Sequence, residues 1–209
     1  ANLVSADLRA ANLVSTDLRG TNLSWANLSG ANLSGADLKN ASLIRADLSD
    51  ANLINVDLHS ANLAGANLVN TRIDRADLNS ANLKETDLSS TSFIQSDLRN
   101  VNFRQAILSG ANFRQANLGG VDLSGRNLTE VNLSGAYLID ADLRHSSFES
   151  ANLNGANLQW ANLTGANLSK ADLRNANFKG AVLEEADLSK SLLCNTIFPS
   201  GEVSSKSDC

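Results

Sequence analysis

Ala1-Asn2-Leu3-Val4-Ser5 is followed by Ala6-Asp7-Leu8-Arg9-Ala10 and then by Ala11-Asn12-Leu13-Val14-Ser15. The same five-residue unit continues without interruption to Thr196-Ile197-Phe198-Pro199-Ser200, so 40 units precede a nine-residue tail. A strict short period decides the fold class almost alone, because every unit must repeat the same local structure.

Five positions, numbered i−2 to i+2 around a central apolar residue i, describe every unit. Position i is Leu in 33 units, Ile73 in one and Phe in six, and position i−2 is Ala in 26 units and Ser, Thr or Val in 13. Position i−1 is Asn or Asp in 31 units, and Gly is concentrated at i+2. Arg126 is the one residue that breaks the pattern of small or β-branched residues at i−2.

This period excludes a helix and favours extended backbone with regular turns. Five residues advance a helix by roughly 500°, so an apolar stripe would spread over every helical face. In a strand, i−2 and i lie on the same side because side chains alternate. One extra residue per unit must then turn a corner, and Gly at i+2 suits such a bend.

One corner in every unit predicts a coiled, polygonal tube. If each corner is near a right angle, four units close one coil. Five aspartates at i−1 support that closure, since they recur at every fourth unit: Asp17, Asp37, Asp57, Asp77 and Asp97. Successive coils should pair in parallel at about 4.8 Å, so ten coils would extend roughly 48 Å, and parallel connections are expected to be right-handed.

The A(D/N)LXX unit closely resembles the pentapeptide-repeat proteins, and the resemblance covers residues 1–198. It implies an all-β fold, a right-handed quadrilateral parallel β-helix of about ten coils, with i and i−2 filling the interior. The expected domains are therefore the repeat β-helix at 1–198 and a capping tail at 199–209. The family is functionally diverse, so the resemblance does not imply one function.

Composition and the amino end bear on partners. The net charge of −5 is modest and gives solubility rather than a field for nucleic-acid binding, and no 18-residue apolar run is present to span a membrane. Met is absent even at position 1, so we expect a processed or trimmed chain. The first coil starts without a cap, which predicts preceding residues, a stacked partner, or a homodimer through this end.

The carboxyl end predicts a cap. Pro199 is the only proline and should end the hydrogen-bonded ladder. Cys194 and Cys209 are the only cysteines, and a disulfide between them would pin the tail over the open interior, the alternative being two free thiols in a reducing cytosol. The ending resembles extracytoplasmic members from cyanobacteria and plastids, which implies the periplasm or thylakoid lumen, with the cytoplasm as the alternative.

Residues that could perform catalysis or hold a cofactor are hard to find. His59 and His145 are the only histidines, they lie on different faces, and no His/Cys spacing suits a metal. Aspartate exchanges freely with asparagine at i−1, as a backbone hydrogen-bonding residue can and a catalytic carboxylate cannot. We therefore predict no enzyme activity, no metal and no cofactor.

The outward positions offer candidate contact residues. At i+1 of one face lie Arg19, Lys39, His59 and Arg99, beside the aspartates at i−1 of the same face. This strip has two interpretations, mutual charge balancing or a mixed-charge docking surface. Trp25 and Trp160 fall at the outward i+2 position of different faces, and exposed Trp is a frequent contact residue.

The repeat is most disturbed between residues 103 and 137. Gly119-Gly120 should loosen a corner, and Tyr137 takes the place of an Asn or Asp. Arg126 falls where the interior is narrow, and burying its charge unpaired would cost several kcal/mol. We predict a local bulge that lets Arg126 turn outward or meet a polar partner near Ser146. The interpretations are repeat drift or a functional site.

Two functions from different classes follow. The leading hypothesis is a non-enzymatic scaffold, a rigid rod that binds another macromolecule, with a protein partner expected and no nucleic acid. The alternative, implied by the family resemblance, is a DNA mimic that inhibits a type II topoisomerase (gyrase) and confers quinolone resistance. That alternative calls for a strongly acidic rod, projecting loops and a dimerising helix, and the sequence lacks these features.

Overall fold

The computed structural model describes residues 1–205. Among them there is no helix and no strand longer than a single bridge residue. Each pentapeptide from 1 to 200 contributes one bridge residue at i−1 and a two-residue turn at i+1 and i+2. A helix able to cross a lipid bilayer is accordingly not found in the described part of the chain.

Two compact units make up the chain, Ala1–Ala111 and Asn112–Cys209. Within each unit the parallel bridges join residues four pentapeptides apart, as in Asn2↔Asn22 and Asn112↔Asn132. Four pentapeptides therefore form one coil in each unit, as the sequence predicts. Side chains at the same position of successive coils stack above one another, and we call such a set within one unit a column.

The unit 31–35 shows how the backbone is held. The amide N–H of Ala31 donates to the carbonyl of position i in the preceding pentapeptide at 2.9 Å. The N–H groups of Asn32, Leu33 and Gly35 donate to carbonyls of adjacent coils at 2.8 to 2.9 Å. Only the N–H of Ser34, at i+1, has no backbone acceptor in this scheme.

The side chain at i−1 supplies that acceptor. Oδ1 of Asn32 accepts from the Ser34 N–H at 3.2 Å, and Oδ1 of Asp47 accepts from the Ser49 N–H at 3.1 Å. Asn and Asp present the same oxygen, which explains why they exchange freely at this position. The prediction that these residues cap the turn is confirmed.

Positions i and i−2 form the interior. Leu23, Leu28 and Leu33 have 0% exposure, and most alanines at i−2 are equally buried. Hydroxyls at i−2 reach backbone carbonyls, as Thr71 Oγ1 donates to Leu48 O at 2.8 Å. Across residues 1–205, no buried side-chain polar atom lacks a hydrogen-bond partner. Because the Thr residues at i−2 are turned inward, they form no outward ladder.

Every corner from residue 5 to residue 195 places the i+2 residue in the left-handed region. Its φ lies between +53° and +72°, in 28 non-glycine residues as well as in 11 glycines. A non-glycine residue in this conformation costs about 1–2 kcal/mol. The corner is therefore dictated by the coil-to-coil hydrogen bonds rather than by the presence of glycine.

The described part of the tail folds back on the last coil. The Phe198 N–H donates to Glu202 O at 2.8 Å, and the Gly201 N–H donates to Phe198 O at 2.8 Å. Val203 then forms an antiparallel bridge with Ile197. This hairpin occupies backbone groups that the next coil would otherwise have used.

Candidate functional site

The five aspartates of the first unit form a continuous column, which we call the acidic ladder: Asp17, Asp37, Asp57, Asp77 and Asp97. Each is bridged in parallel to the next. Each Oδ1 also accepts the backbone N–H two residues later, at 2.9 to 3.2 Å. The ladder is thus set first by turn geometry, and it places like charges at the spacing of the coils.

Cations in the neighbouring column offset this repulsion. Arg19 donates from Nε and Nη2 to Asp17 at 2.9 and 2.6 Å, and its Nε lies 3.7 Å from Asp37. Lys39 Nζ lies 2.7 Å from Asp57, one coil further on. These contacts support charge balancing, while the side chains of Arg19 and Lys39 remain 61% and 43% exposed.

Arg99 repeats the arrangement at the other end of the ladder. Its Nη2 lies 2.6 Å from Asp97 Oδ2. The hydrogen bond from Arg99 lowers the pKa of Asp97, and the hydrogen bond from Arg19 lowers the pKa of Asp17 to about 2. His59 occupies the same column as the cations, and its backbone N–H donates to Asp57 at 3.1 Å. Arg19, Lys39, His59 and Arg99 therefore lie together in one strip.

Trp25 lies at a corner of the same unit and is 55% exposed. The guanidinium of Arg45, one coil on, lies 4.9 Å from the centre of its ring, a cation–π distance. Arg45 in turn lies over Gly65, where an added Cβ would come within 3.2 Å of its Cγ. Trp25, Arg45 and Gly65 thus form one stacked column of i+2 residues.

Trp160 lies at a corner of the second unit and is 60% exposed. A Cβ added to Gly180 would overlap Cε3 and Cζ3 of its ring and lie 2.9 Å from Cδ2. The six-membered ring therefore covers the Gly180 backbone. Tyr137, one coil earlier and at i−1, is 51% exposed. Trp25 and Trp160 belong to different units, so they make two separate candidate contacts.

The predicted bulge at Arg126 is wrong. Its N–H donates to Leu123 O at 3.1 Å, and its carbonyl accepts from Ser147 at 3.0 Å, the same bonds as in other units. The side chain is half-buried, and its Nε donates to Ser124 O at 3.4 Å rather than meeting Ser146. A long apolar stem lets the charged group leave the interior without moving the backbone.

The glycine pair and Tyr137 also keep the regular pattern. The Gly119 N–H donates to Asn117 Oδ1 at 3.2 Å. The N–H of Gly120 donates to Ile139 O at 2.8 Å, so this corner is held like the others rather than loosened. Tyr137 bridges Asn117 and Asn157 in register. The irregular residues therefore change the surface and leave the coil unchanged.

Cys194 lies in the last coil, where its carbonyl accepts the Asn175 N–H at 2.9 Å. Its predicted disulfide partner, Cys209, lies outside the described residues, so the disulfide stays a prediction. Within residues 1–205 no cluster of His, Cys, Asp and Glu could hold a metal ion.

Two features of the surface were not foreseen from the sequence. Ser92 lacks the amide or carboxylate of its position, and Asp74 of the previous coil replaces it by accepting from the Ile94 N–H at 3.1 Å and from Ser92 Oγ. Some large i+2 side chains also cover a glycine one coil later, as Trp160 covers Gly180. The spacing of one coil could have revealed both features from the sequence, if the residues at successive positions of each column had been compared in pairs.

Comparison with known proteins agrees with this architecture. The family model described as pentapeptide repeats (8 copies) matches residues 1–40, 21–59, 57–93, 86–125, 127–165 and 161–198. No curated protein sequence matches the chain.

Two of the similar solved structures illustrate this agreement. HetL, a pentapeptide repeat protein involved in heterocyst differentiation regulation from the cyanobacterium Nostoc sp. strain PCC 7120, is 34% identical, over 97% of this chain and 91% of HetL, with a TM-score of 0.50. QnrB1, a plasmid-mediated fluoroquinolone resistance protein, is 18% identical, over 86% of this chain and 90% of QnrB1, with a TM-score of 0.66. The chain therefore belongs to the pentapeptide repeat family and has its right-handed β-helical fold.

Proposed function

We propose that this protein is a non-enzymatic scaffold of about ten quadrilateral coils, and that its outward columns bind a protein partner. The observation that carries the proposal is the strip formed by the acidic ladder and its cations in the first unit. Its charged groups are fixed by turn hydrogen bonds and ion pairs, yet Arg19 and Arg99 keep 61% and 51% of their side-chain surface exposed. A preorganised, exposed row of charges favours recognition, because little ordering is required on binding.

Site-specific photo-crosslinking tests this proposal. A photoreactive residue replaces Asn79, in the middle of the strip, and the protein is exposed to extract from its source. We expect one discrete crosslinked protein that is lost when Arg19, Lys39 and Arg99 are all changed to Gln. Arg9→Gln is the matched control, because Arg9 makes the same ion pair with Asp7, at 2.7 Å, outside the strip.

Equal crosslinking in the triple variant and in the control would overturn the strip as the binding surface. A crosslinked product that forms with Arg9→Gln and is lost in the triple variant would support the strip as the binding surface. Salt should weaken a genuine complex, because exposed charges are screened within about 8–10 Å at moderate ionic strength.

DNA mimicry has less support. The likeness to QnrB1 at 18% identity concerns the fold, and Arg19, Lys39 and Arg99 interrupt the acidic ladder with positive charge. We expect no inhibition of DNA supercoiling by gyrase at micromolar protein. Inhibition at that concentration would favour the mimic over the scaffold.

Two further expectations belong to this proposal. A Cys194–Cys209 disulfide would favour a periplasmic or lumenal location, and thiol alkylation before and after reduction of protein from its source measures it. Homodimerisation through the first coil would appear as a concentration-dependent mass in light scattering, and a constant monomer mass would remove it.

A further inference from the structure

The i+2 side chains of one column touch their neighbours one coil away. Asn70 Nδ2 donates to Asp50 Oδ1 at 3.3 Å, and Arg75 Nε donates to Asn55 Oδ1 at 3.1 Å. Residues one coil apart at this position therefore act as contact pairs.

These side chains also lean in one direction, toward the following coil. Five large or polar i+2 side chains each lie within 3.4 Å of where a Cβ would stand on the glycine one coil later: Ser15, Arg45, Gln115, His145 and Trp160. Because the lean recurs in both units, it is a property of the repeat. The same lean in Asp140 would bring its carboxylate toward Trp160, which occupies the same position of the next coil in the second unit.

Trp160 has one face covered and one face open. Its six-membered ring lies on Gly180, while 60% of the residue remains exposed. The exposed face of an indole carries the negative side of the ring quadrupole and attracts cations.

Asp140 lies one coil before Trp160 in the same column, where its backbone N–H donates to Gln159 O at 3.0 Å. Among residues 1–205, no side chain forms an ion pair or a hydrogen bond with it. It is exposed, and its column continues as Trp160 and then Gly180. An exposed tryptophan and an exposed, unpaired carboxylate thus occupy successive positions of one column.

From this geometry we propose that Asp140 and Trp160 form a binding site for an arginine side chain of a partner protein. The guanidinium stacks on the open face of Trp160 and donates hydrogen bonds to the Asp140 carboxylate. The first unit shows the same contact within the chain, where Arg45 lies 4.9 Å from the Trp25 ring centre. In the second unit Gly180 takes the place of that arginine, and among residues 1–205 no cation of the chain is stacked on the Trp160 ring.

Arginine fits better than the other candidate ligands. Its planar guanidinium lies flat on a ring and donates two parallel hydrogen bonds to a carboxylate at the same time, whereas an ammonium is a compact charge with no plane to stack. A neutral ligand would leave the Asp140 charge unused. This inference rests on the proposed scaffold function for its biological meaning, but its test needs no partner.

The test follows the two indole N–H signals by NMR during titration with N-acetyl-arginine amide, using Trp25→Phe and Trp160→Phe to assign them. We expect the Trp160 signal to move saturably and the Trp25 signal to move much less, because Arg45 already covers that ring. Asp140→Asn should weaken binding by about two- to fivefold. Lys179→Gln, which removes a nearby cation, should leave affinity equal or higher.

N-acetyl-citrulline amide is the neutral isosteric control. An equal shift with this ligand, or unchanged affinity in Asp140→Asn, would overturn the proposal. So would a response of Trp25 as large as that of Trp160. If arginine binds as expected but no protein is crosslinked at the first-unit strip, the arginine site at Asp140 and Trp160 is supported and the strip is refuted as a protein-binding surface.

Discussion

Gly180→Ala measures how strongly Trp160 is stacked on its column, and Gly155→Ala is the matched control. Both glycines are corner residues of the second unit, with φ of +72° and +68°. A Cβ at residue 155 meets nothing within 4 Å, whereas a Cβ at residue 180 overlaps the Trp160 ring.

The expected free-energy changes follow from these two environments. Left-handed strain costs about 1–2 kcal/mol, and the loss of unfolded-state freedom returns about 0.4–1 kcal/mol. Gly155→Ala should therefore destabilise by about 1 kcal/mol. Displacing a packed ring adds about 1–3 kcal/mol, and Trp160 should need only the lower half because its exposed side chain can rotate away. Gly180→Ala should then lose about 2–3 kcal/mol.

Guanidinium unfolding followed by far-UV circular dichroism gives these differences as shifts of the midpoint at constant slope. The double variant Trp160→Ala/Gly180→Ala completes a cycle, in which we expect a coupling of about 1–2 kcal/mol. Equal losses in the two glycine variants would refute the stacking. If Gly180→Ala lost as much stability in the Trp160→Ala background as in the parent chain, the Trp160 ring would not be the cause of the extra loss.

Three other predictions concern the hydrogen bonds and charges of the repeat. Asn27 accepts the Ser29 N–H at 3.0 Å, so Asn27→Ala should lose about 1 kcal/mol in the same unfolding assay, whereas Asn27→Asp should be nearly neutral; equal effects would contradict the turn role. Asp74→Ala should destabilise the fold, and adding Ser92→Asn should restore the lost stability by supplying an acceptor for the Ile94 N–H. If Ser92→Asn restored nothing, Asp74 would not be the substitute acceptor for this turn. Arg19 holds the folded pKa of Asp17 at about 2, below an unfolded value of about 3.9. The contribution of the Arg19–Asp17 ion pair to folding stability is therefore fully present above about pH 4 and disappears as the pH falls through about 2. The thermal midpoint of Asp17→Asn should fall less over that window than that of the parent chain, and parallel profiles would contradict the pairing.

The regular part of the fold could be predicted from sequence because two requirements recur every five residues: burial of apolar side chains and a hydrogen-bond acceptor for the turn. Leu at i and Ala at i−2 fix the inward face, and Asn or Asp at i−1 supplies the acceptor for the one N–H that the coils leave over. The acidic ladder followed from the same reasoning, since residues four units apart must stack once four units close a coil.

The prediction of a backbone bulge at Arg126 failed for a definable physical reason. It treated the residue as a charge that must either be buried or displace the chain. A guanidinium on a long apolar stem has a third course, since its backbone keeps the regular bonds while Nε reaches Ser124 O at 3.4 Å. The repeat pattern correctly placed Arg126 at the inward i−2 position. It did not account for the freedom of a long side chain to turn away from that position.

The corner pairs cannot be found when each position is considered alone. Glycine at i+2 suits the bend, yet 28 non-glycine residues adopt the same φ. What distinguishes Gly180 is the large side chain one coil before it. At this corner the residue that fits is limited by its column neighbour, because a Cβ at residue 180 would overlap the Trp160 ring. Contact sites of this protein should accordingly be sought as sets spaced by one coil, such as Asp140, Trp160 and Gly180, which no contiguous motif would contain.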